Sequence, residues 1–462
     1  MRTRPPADRP FLQRATPSRR ELLALAGGAA LASGTAGAQP APGLQGVVAS
    51  VMGDGQRFDH GRVVEIARAL ARRPFAPVPP DLPEAFANLN YEQYVGIRAL
   101  PGAVIWGGEG RGFVVEPLQR GFVFTAPVML FTVEDGTVRR IAYDRSKFDY
   151  GRLNVPPSIP DIGFSGVRLH AAGANGALWE FAILQGATFV RALGRGQNYG
   201  AVARALTLRP AEARGEEIPA FRAFWLERPL PGVNALVVHG LIDSESVAGA
   251  VRMTFRPGDA TIVDVETTLF PRANLEHVGL GGMTATYLHG GMRRRNVDDV
   301  RPAVYDASGL QMVTGAGEHV WRPVQNPETL QISAFLDRNP QGFGLVQRDR
   351  DYAVFQDDDQ RWDRRSSLWV EPVGEWGPGQ VQLIEIPTDS EVNDNILAYW
   401  RPRAPMAAGS EVMLAFRQFW GPSSPVRPPV AIATNSRVGR GGGGRRRRFS
   451  VDFTGEAVMA VP

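Results

Sequence analysis

The chain of 462 residues has no cysteine, a single lysine (Lys147) and only six histidines. Without thiols there can be no disulfide, no thiolate nucleophile and no cysteine-ligated zinc or iron–sulfur centre. With Lys147 alone, and outside any glycine-rich loop, there is no Walker-type phosphate lysine, and no Gly-x-Ser-x-Gly elbow occurs. His60, His170, His239, His277, His289 and His319 form no HExxH or HxH pattern and no i, i+4 pair, so neither a metal site nor a cofactor is expected. Gly194-Arg-Gly-Gln-Asn-Tyr-Gly200 misses the dinucleotide fingerprint by one position and has no βαβ pattern around it; it reads as a tight turn.

The formal charge is +4, but it is unevenly distributed. Residues 1–38 hold six arginines against two acids, leaving 45 basic and 45 acidic residues beyond them. Another six arginines lie between Arg437 and Arg448, so the rest of the chain is mildly acidic. A nucleic-acid partner is therefore not expected. Residues 1–38 read as an export signal. Arg19-Arg20 precedes the short apolar run Leu22 to Ser33, and Ala36-Gly37-Ala38 offers a cleavage site. The paired arginines point to the twin-arginine route, and the run is too short for stable membrane insertion. Ser436 to Arg448, dense in Gly and Arg, reads as a solvated loop.

Apolar residues Val63, Val64, Ile66, Ala67, Leu70 and Ala71 recur at helical spacing, predicting one helix within 58–75 that Pro74 stops. Beyond it, Phe122–Leu130, Ala235–Ile242, Ala260–Leu269, Gln380–Ile386 and Ile396–Trp400 read as strands. They are separated by turns that 52 glycines and 37 prolines supply. The fold class expected is mainly β, with large antiparallel sheets packed face to face. Arg401 to Gly409 reads as an interdomain linker, dividing a domain of residues 39–403 from a small one of 404–462.

Chemistry concentrates between Trp321 and Trp400. This window holds five of the nine tryptophans (Trp321, Trp362, Trp369, Trp376, Trp400) and the acids Asp349, Asp351, Asp357, Asp358, Asp359, Asp363, Glu385, Asp389, Glu391 and Asp394. Aromatic faces suit the C–H faces of sugars, and carboxylates and arginines suit their hydroxyls. Asp394 sits between two predicted strands, a rim position that suits a catalytic carboxyl and equally a turn aspartate.

Several long motifs resemble one family: Gly194-x-Gly-Gln-x-Tyr-Gly200, Phe224-Trp-Leu-Glu-Arg-Pro229, Trp321-Arg-Pro-x-x-Asn-Pro327, Asn339-Pro-Gln-Gly-Phe-Gly-Leu345, Trp369-Val-Glu-Pro372 and Asn393-Asp-Asn-Ile396 with Ala398-Tyr-Trp400. The chain resembles the periplasmic glucan biosynthesis proteins G and D. Asp363-Arg-Arg-x-Ser-Leu-Trp-Val370 and the paired arginines look closer to the D type. The resemblance implies a galactose-mutarotase-like β-sandwich followed by an immunoglobulin-like domain, which would here be truncated. It also implies inverting endo-β-1,2-glucanase activity in the periplasm. The family's general acid falls on Asp394, and its base, acting through a water relay, falls on Asp306. Tyr305, Arg348, Trp362, Trp369, Trp376, Glu385 and Trp400 are the expected substrate-binding residues. The expected partners are a β-glucan and, beyond it, glucan-synthesis machinery. A non-catalytic glucan-binding or assembly protein and a transglycosylase adding β-1,6 branches are the alternatives.

Overall fold

In the computed structural model, residues 44–77, 81–291, 298–428, 431–455 and 458 are described. The proposed signal, 1–38, lies outside them. Two large sheets dominate. One has ten strands. Its path runs Phe113–Leu118, Gly166–Ala172, Leu178–Gln185, Phe189–Ala192, Val202–Arg204, Val278–Ala285, Ile396–Pro402, Pro378–Glu385, Gln331–Arg338, with Thr207–Leu208 joining Val278–Ala285. The other has eleven and includes Ser367–Val373, Val412–Gly421, Thr261–Pro271, Val247–Arg256 and Leu236–Asp243 as consecutive neighbours. Among the described strands, pairing is antiparallel except where Ala220–Glu227 lies parallel to Met129–Glu134.

Side chains alternate along each strand, so each sheet buries one face against the other. Val115, Val167 and Leu169 from the first sheet share a core with Val238, Val251 and Val263 from the second. The predicted helix forms over His60–Ala71, with Asp59 as N-cap accepting from the Gly61 amide. Its buried Val63, Ile66, Ala67 and Leu70 pack with Phe131, Trp225, Leu241 and Phe270 on the outer face of the eleven-stranded sheet. Each large side chain there contributes about 1.5–3 kcal/mol.

Three expectations are corrected. Most of Phe122–Leu130 is not strand: Phe122 has φ 53°, and the strand is Met129–Glu134. Arg401 to Gly409 does not separate domains. Arg401 and Pro402 end one strand, and Val412–Gly421 is then inserted between Thr261–Pro271 and Ser367–Val373 inside the sandwich. The described residues accordingly form one compact unit. The Gly/Arg stretch is largely a hairpin of Ile432–Arg440 with Arg447–Thr454, in which Arg437 pairs with Asp452. Arginine side chains point to solvent there without opposing the ladder.

Candidate functional site

Met283 and Ala285 face the core between the sheets, so Thr284 projects from the opposite face of the ten-stranded sheet. Its hydroxyl donates to Asp394 Oδ2 at 3.0 Å. Asp394 arrives on the turn between Pro378–Glu385 and Ile396–Pro402, and the flanking asparagines hold that turn. Asn395 accepts from the Tyr287 amide at 2.8 Å and donates to Ile386 O at 3.0 Å. Asn393 donates to Thr388 Oγ1 at 3.0 Å, and its carbonyl accepts from Thr286 Oγ1 at 3.1 Å.

Two residues beyond Thr284, the Thr286 amide donates to Asp306 Oδ2 at 3.1 Å, and the Asp306 amide returns a bond to Thr286 O at 2.8 Å. One strand end thus holds both carboxylates. Asp306 is 4% exposed. Burial raises its pKa, the Arg365 guanidinium opposes that, and the charge of Asp394 pushes it up again. Asp306 Oδ1 lies 3.4 Å from Arg365 Nη1, an ion pair without hydrogen-bond geometry, and has no hydrogen-bond partner among the described residues.

A second layer braces these loops. Arg301 donates to Asp299 Oδ2 at 2.7 Å, to Asp357 Oδ2 at 2.9 Å and to Glu391 Oε2. Asp357 also accepts from Trp362 Nε1 at 2.9 Å. Burial pushes Asp357 up, but the Gln360 amide and Arg301 outweigh it and hold the carboxyl below its usual range. Asp357 and Asp363 are buried in ion pairs, so the acidic run around them is more than a solvated loop.

The sugar-binding expectations fare unevenly. Trp369 is 1% and Trp400 0% exposed, and both rings lie against glycines, Gly342 and Gly379, on adjacent strands. Trp362 is also buried, under Arg365, and Trp376 packs its edge against Phe343 and Phe416. Trp362 and Trp400 belong to the main core, whereas Trp369 is buried on the opposite face of its strand from the core residues Leu368 and Val370. Glu385 is 0% exposed and is bound by Arg322 at 2.8 Å and the Gln325 amide at 2.7 Å. It therefore offers a sugar no free face. Tyr305 is buried, stacked on Tyr287, with its hydroxyl on Asp349 Oδ2 at 2.8 Å. Arg348 is exposed and lies over the Trp321 ring, 3.4 Å from its centroid, forming an amphipathic platform. Thr284, Thr286, Arg301 and Arg365 were not singled out in the sequence. Of these, Arg365 lies within the motif running from Asp363 to Val370.

Residues 58–462 match the family described as "Periplasmic glucan biosynthesis protein, MdoG". "Glucans biosynthesis protein G" of Shewanella baltica (strain OS155) is 46% identical over 408 residues, covering 87% of this chain and 75% of that protein. The protein of the same name from Shewanella sp. (strain W3-18-1) has the same identity and coverage. Both carry the G name, which lends the D-type leaning no support. Among solved structures, a galactose mutarotase related enzyme from Lactobacillus acidophilus aligns over 53% of this chain and 98% of its own. Its identity is 8% and its TM-score 0.23.

Proposed function

Because the chain belongs to the family of periplasmic glucan biosynthesis proteins, we propose that it cleaves β-1,2-glucan internally with inversion at the anomeric carbon. The observation that carries this reading is the shared anchoring of Asp394 and Asp306 by Thr284 and Thr286. The charge of Asp394 acts on Asp306, as in the pairs of neighbouring carboxyl groups that inverting glycosidases use, set apart far enough to admit a water. Asp394, half-buried and reachable, donates its proton to the glycosidic oxygen as the C–O bond breaks. Water attacks from the opposite face and its proton passes through a second water to Asp306 Oδ1, whose lone pair is uncommitted. Trp321 and Arg348 hold the glucan, and Tyr305 braces the wall beside the base.

Linear β-1,2-glucan incubated with purified protein should give shorter oligosaccharides whose new reducing ends are initially α by NMR. Asp394→Asn should lose this activity on glucan yet keep it on an aryl glucoside, whose leaving group needs no proton. Full activity of Asp394→Asn on glucan removes the assignment. The depth of Asp306 favours one rival, a glucan-binding assembly protein that engages the synthesis machinery, since bulk water does not reach the base directly. Binding by wild type and Asp394→Asn alike without turnover identifies that rival, and larger β-1,6-branched products identify a transglycosylase. Export is proposed to follow the twin-arginine route, so a double Lys substitution of Arg19 and Arg20 should retain the protein in the cytoplasm on fractionation.

A further inference from the structure

Asp306 raises a difficulty that its neighbour resolves. A buried carboxyl beside another carboxylate tends to stay protonated, which suits a donor better than a base. The group that works against this is Arg365. Its guanidinium is fixed on every side. Nε donates to Gln360 O at 3.2 Å, Nη2 to Gln360 Oε1 at 2.7 Å and Nη1 to Tyr199 O at 2.8 Å, while the plane stacks on Trp362, 4.4 Å from the ring centroid. Its backbone is fixed as well, since Asn198 donates to Arg364 O and accepts from the Ser366 amide. Nη1 also lies 3.4 Å from Asp306 Oδ1, off the line of a hydrogen bond.

From this geometry we infer that Arg365 is a positioning residue that holds Asp306 as a carboxylate and aims its open oxygen at the water relay. The inference rests on the glucanase reading above. An Arg so braced is held out of hydrogen-bond alignment with Oδ1, so it stabilises the charge without occupying the lone pair that must receive the proton. The other charges acting on Asp306 are Asp394, which opposes ionisation, and Arg191, which favours it. The brace is continuous with the Arg301 clamp through Trp362 and Asp357, and the same connected side chains therefore support both carboxylates.

The test is the pH dependence of kcat on linear β-1,2-glucan for the full chain, Arg365→Gln, Arg365→Lys and Asp306→Asn. Loss of the cation should move the acid limb of the Arg365→Gln profile up by about 1–3 pH units, with KM within about twofold of wild type. Arg365→Lys keeps the charge but not the fork, so its limb should move the same way by less. That variant carries the test should the Gln variant not fold. A limb that stays at its wild-type pH while kcat falls uniformly overturns the role. Asp306→Asn separates the two levels of argument. If it retains wild-type turnover, the base assignment fails and the role of Arg365 falls with it. If it is inactive while the limb in both Arg365 variants is unmoved, the glucanase reading survives and this inference alone fails.

Discussion

Gly200 tests whether the site depends on the close crossing of two chain segments. A Cβ at this position would lie 2.6 Å from Ser366 O and 3.0 Å from Arg365 Cβ. Ordinary contact begins at about 3.5 Å, so Gly200→Ala must push the 364–366 segment away by roughly 0.9 Å. Ser366 cannot yield cheaply, because Asn198 and Ala201 bond its backbone and Ser367–Val373 continues it into the sheet. Overpacking of this kind costs about 1–3 kcal/mol, or about 1–3 °C in Tm for a body of this size. The displaced residue is Arg365, and misplacement by an ångström near reacting groups can cost up to about 100-fold. The expected outcome is kcat on β-1,2-glucan reduced about 10- to 100-fold with KM little changed. Gly196→Ala is the control within the same motif. Its φ of +73° strains an alanine, yet no atom lies within 4 Å of the added Cβ. It should cost about 1–2 kcal/mol and leave kcat per folded molecule intact. Wild-type kcat in Gly200→Ala, or equal losses in the two variants, refutes the reasoning.

Three further outcomes follow from burial and charge. His60 Nδ1 and His239 Nδ1 share a hydrogen bond at 2.9 Å while His239 Nε2 holds Glu227 at 2.6 Å, and burial, then His239, then Arg252 push the His60 pKa down to about 4. The folded state binds fewer protons there than the unfolded chain, so this stability is full above about pH 6.5 and is lost as pH falls toward 4. Discounted for the half-exposed ring it amounts to about 1–2 kcal/mol, and denaturant melts from pH 4 to 7.5 should show it in wild type and not in His60→Asn. Trp400→Ala should cost about 3–5 kcal/mol with glucan affinity per folded molecule unchanged, whereas Trp321→Ala should weaken binding by about 1 kcal/mol with little change in Tm. A loss of affinity confined to Trp400→Ala would return that ring to the sugar site. Arg301→Gln leaves Asp299, Asp357 and Glu391 without their shared cation; kcat should fall at least tenfold, and calorimetry should show a lowered Tm.

Hydrophobic periodicity made the sandwich and the His60–Ala71 helix legible, because alternation and 3.6-residue spacing report directly which face is buried. It misplaced Val412–Gly421. Prolines and small residues at 401–409 mark a break in local structure, but a chain crossing from one sheet to the other breaks locally in the same way as one leaving the domain. The tryptophan cluster misled for a related reason. Composition counts aromatic side chains without saying which face of a strand each occupies; Trp400 turns out to face the core, and Trp369 is buried on the outer face of its strand.

The same contrast governs the site. Asp394 was recognisable because its neighbours advertise a turn, and Asn393 and Asn395 do hold that turn. Asp306 carried no such signal; only the family resemblance implied a role for it. What joins the two is a pair of threonines, Thr284 and Thr286, on a strand 110 residues before Asp394. Threonine is ordinary in strands, so nothing in its local context marks these two. Their importance comes from register, since slipping the strand by one residue would turn the Thr284 hydroxyl into the core and carry the Thr286 amide off Asp306, leaving the carboxylates without a common anchor. The sheet register is therefore itself part of the proposed chemistry. It brings Asp394 and Asp306 to one strand end, where the Arg365 guanidinium beside Asp306 opposes the upward push of burial on that carboxyl.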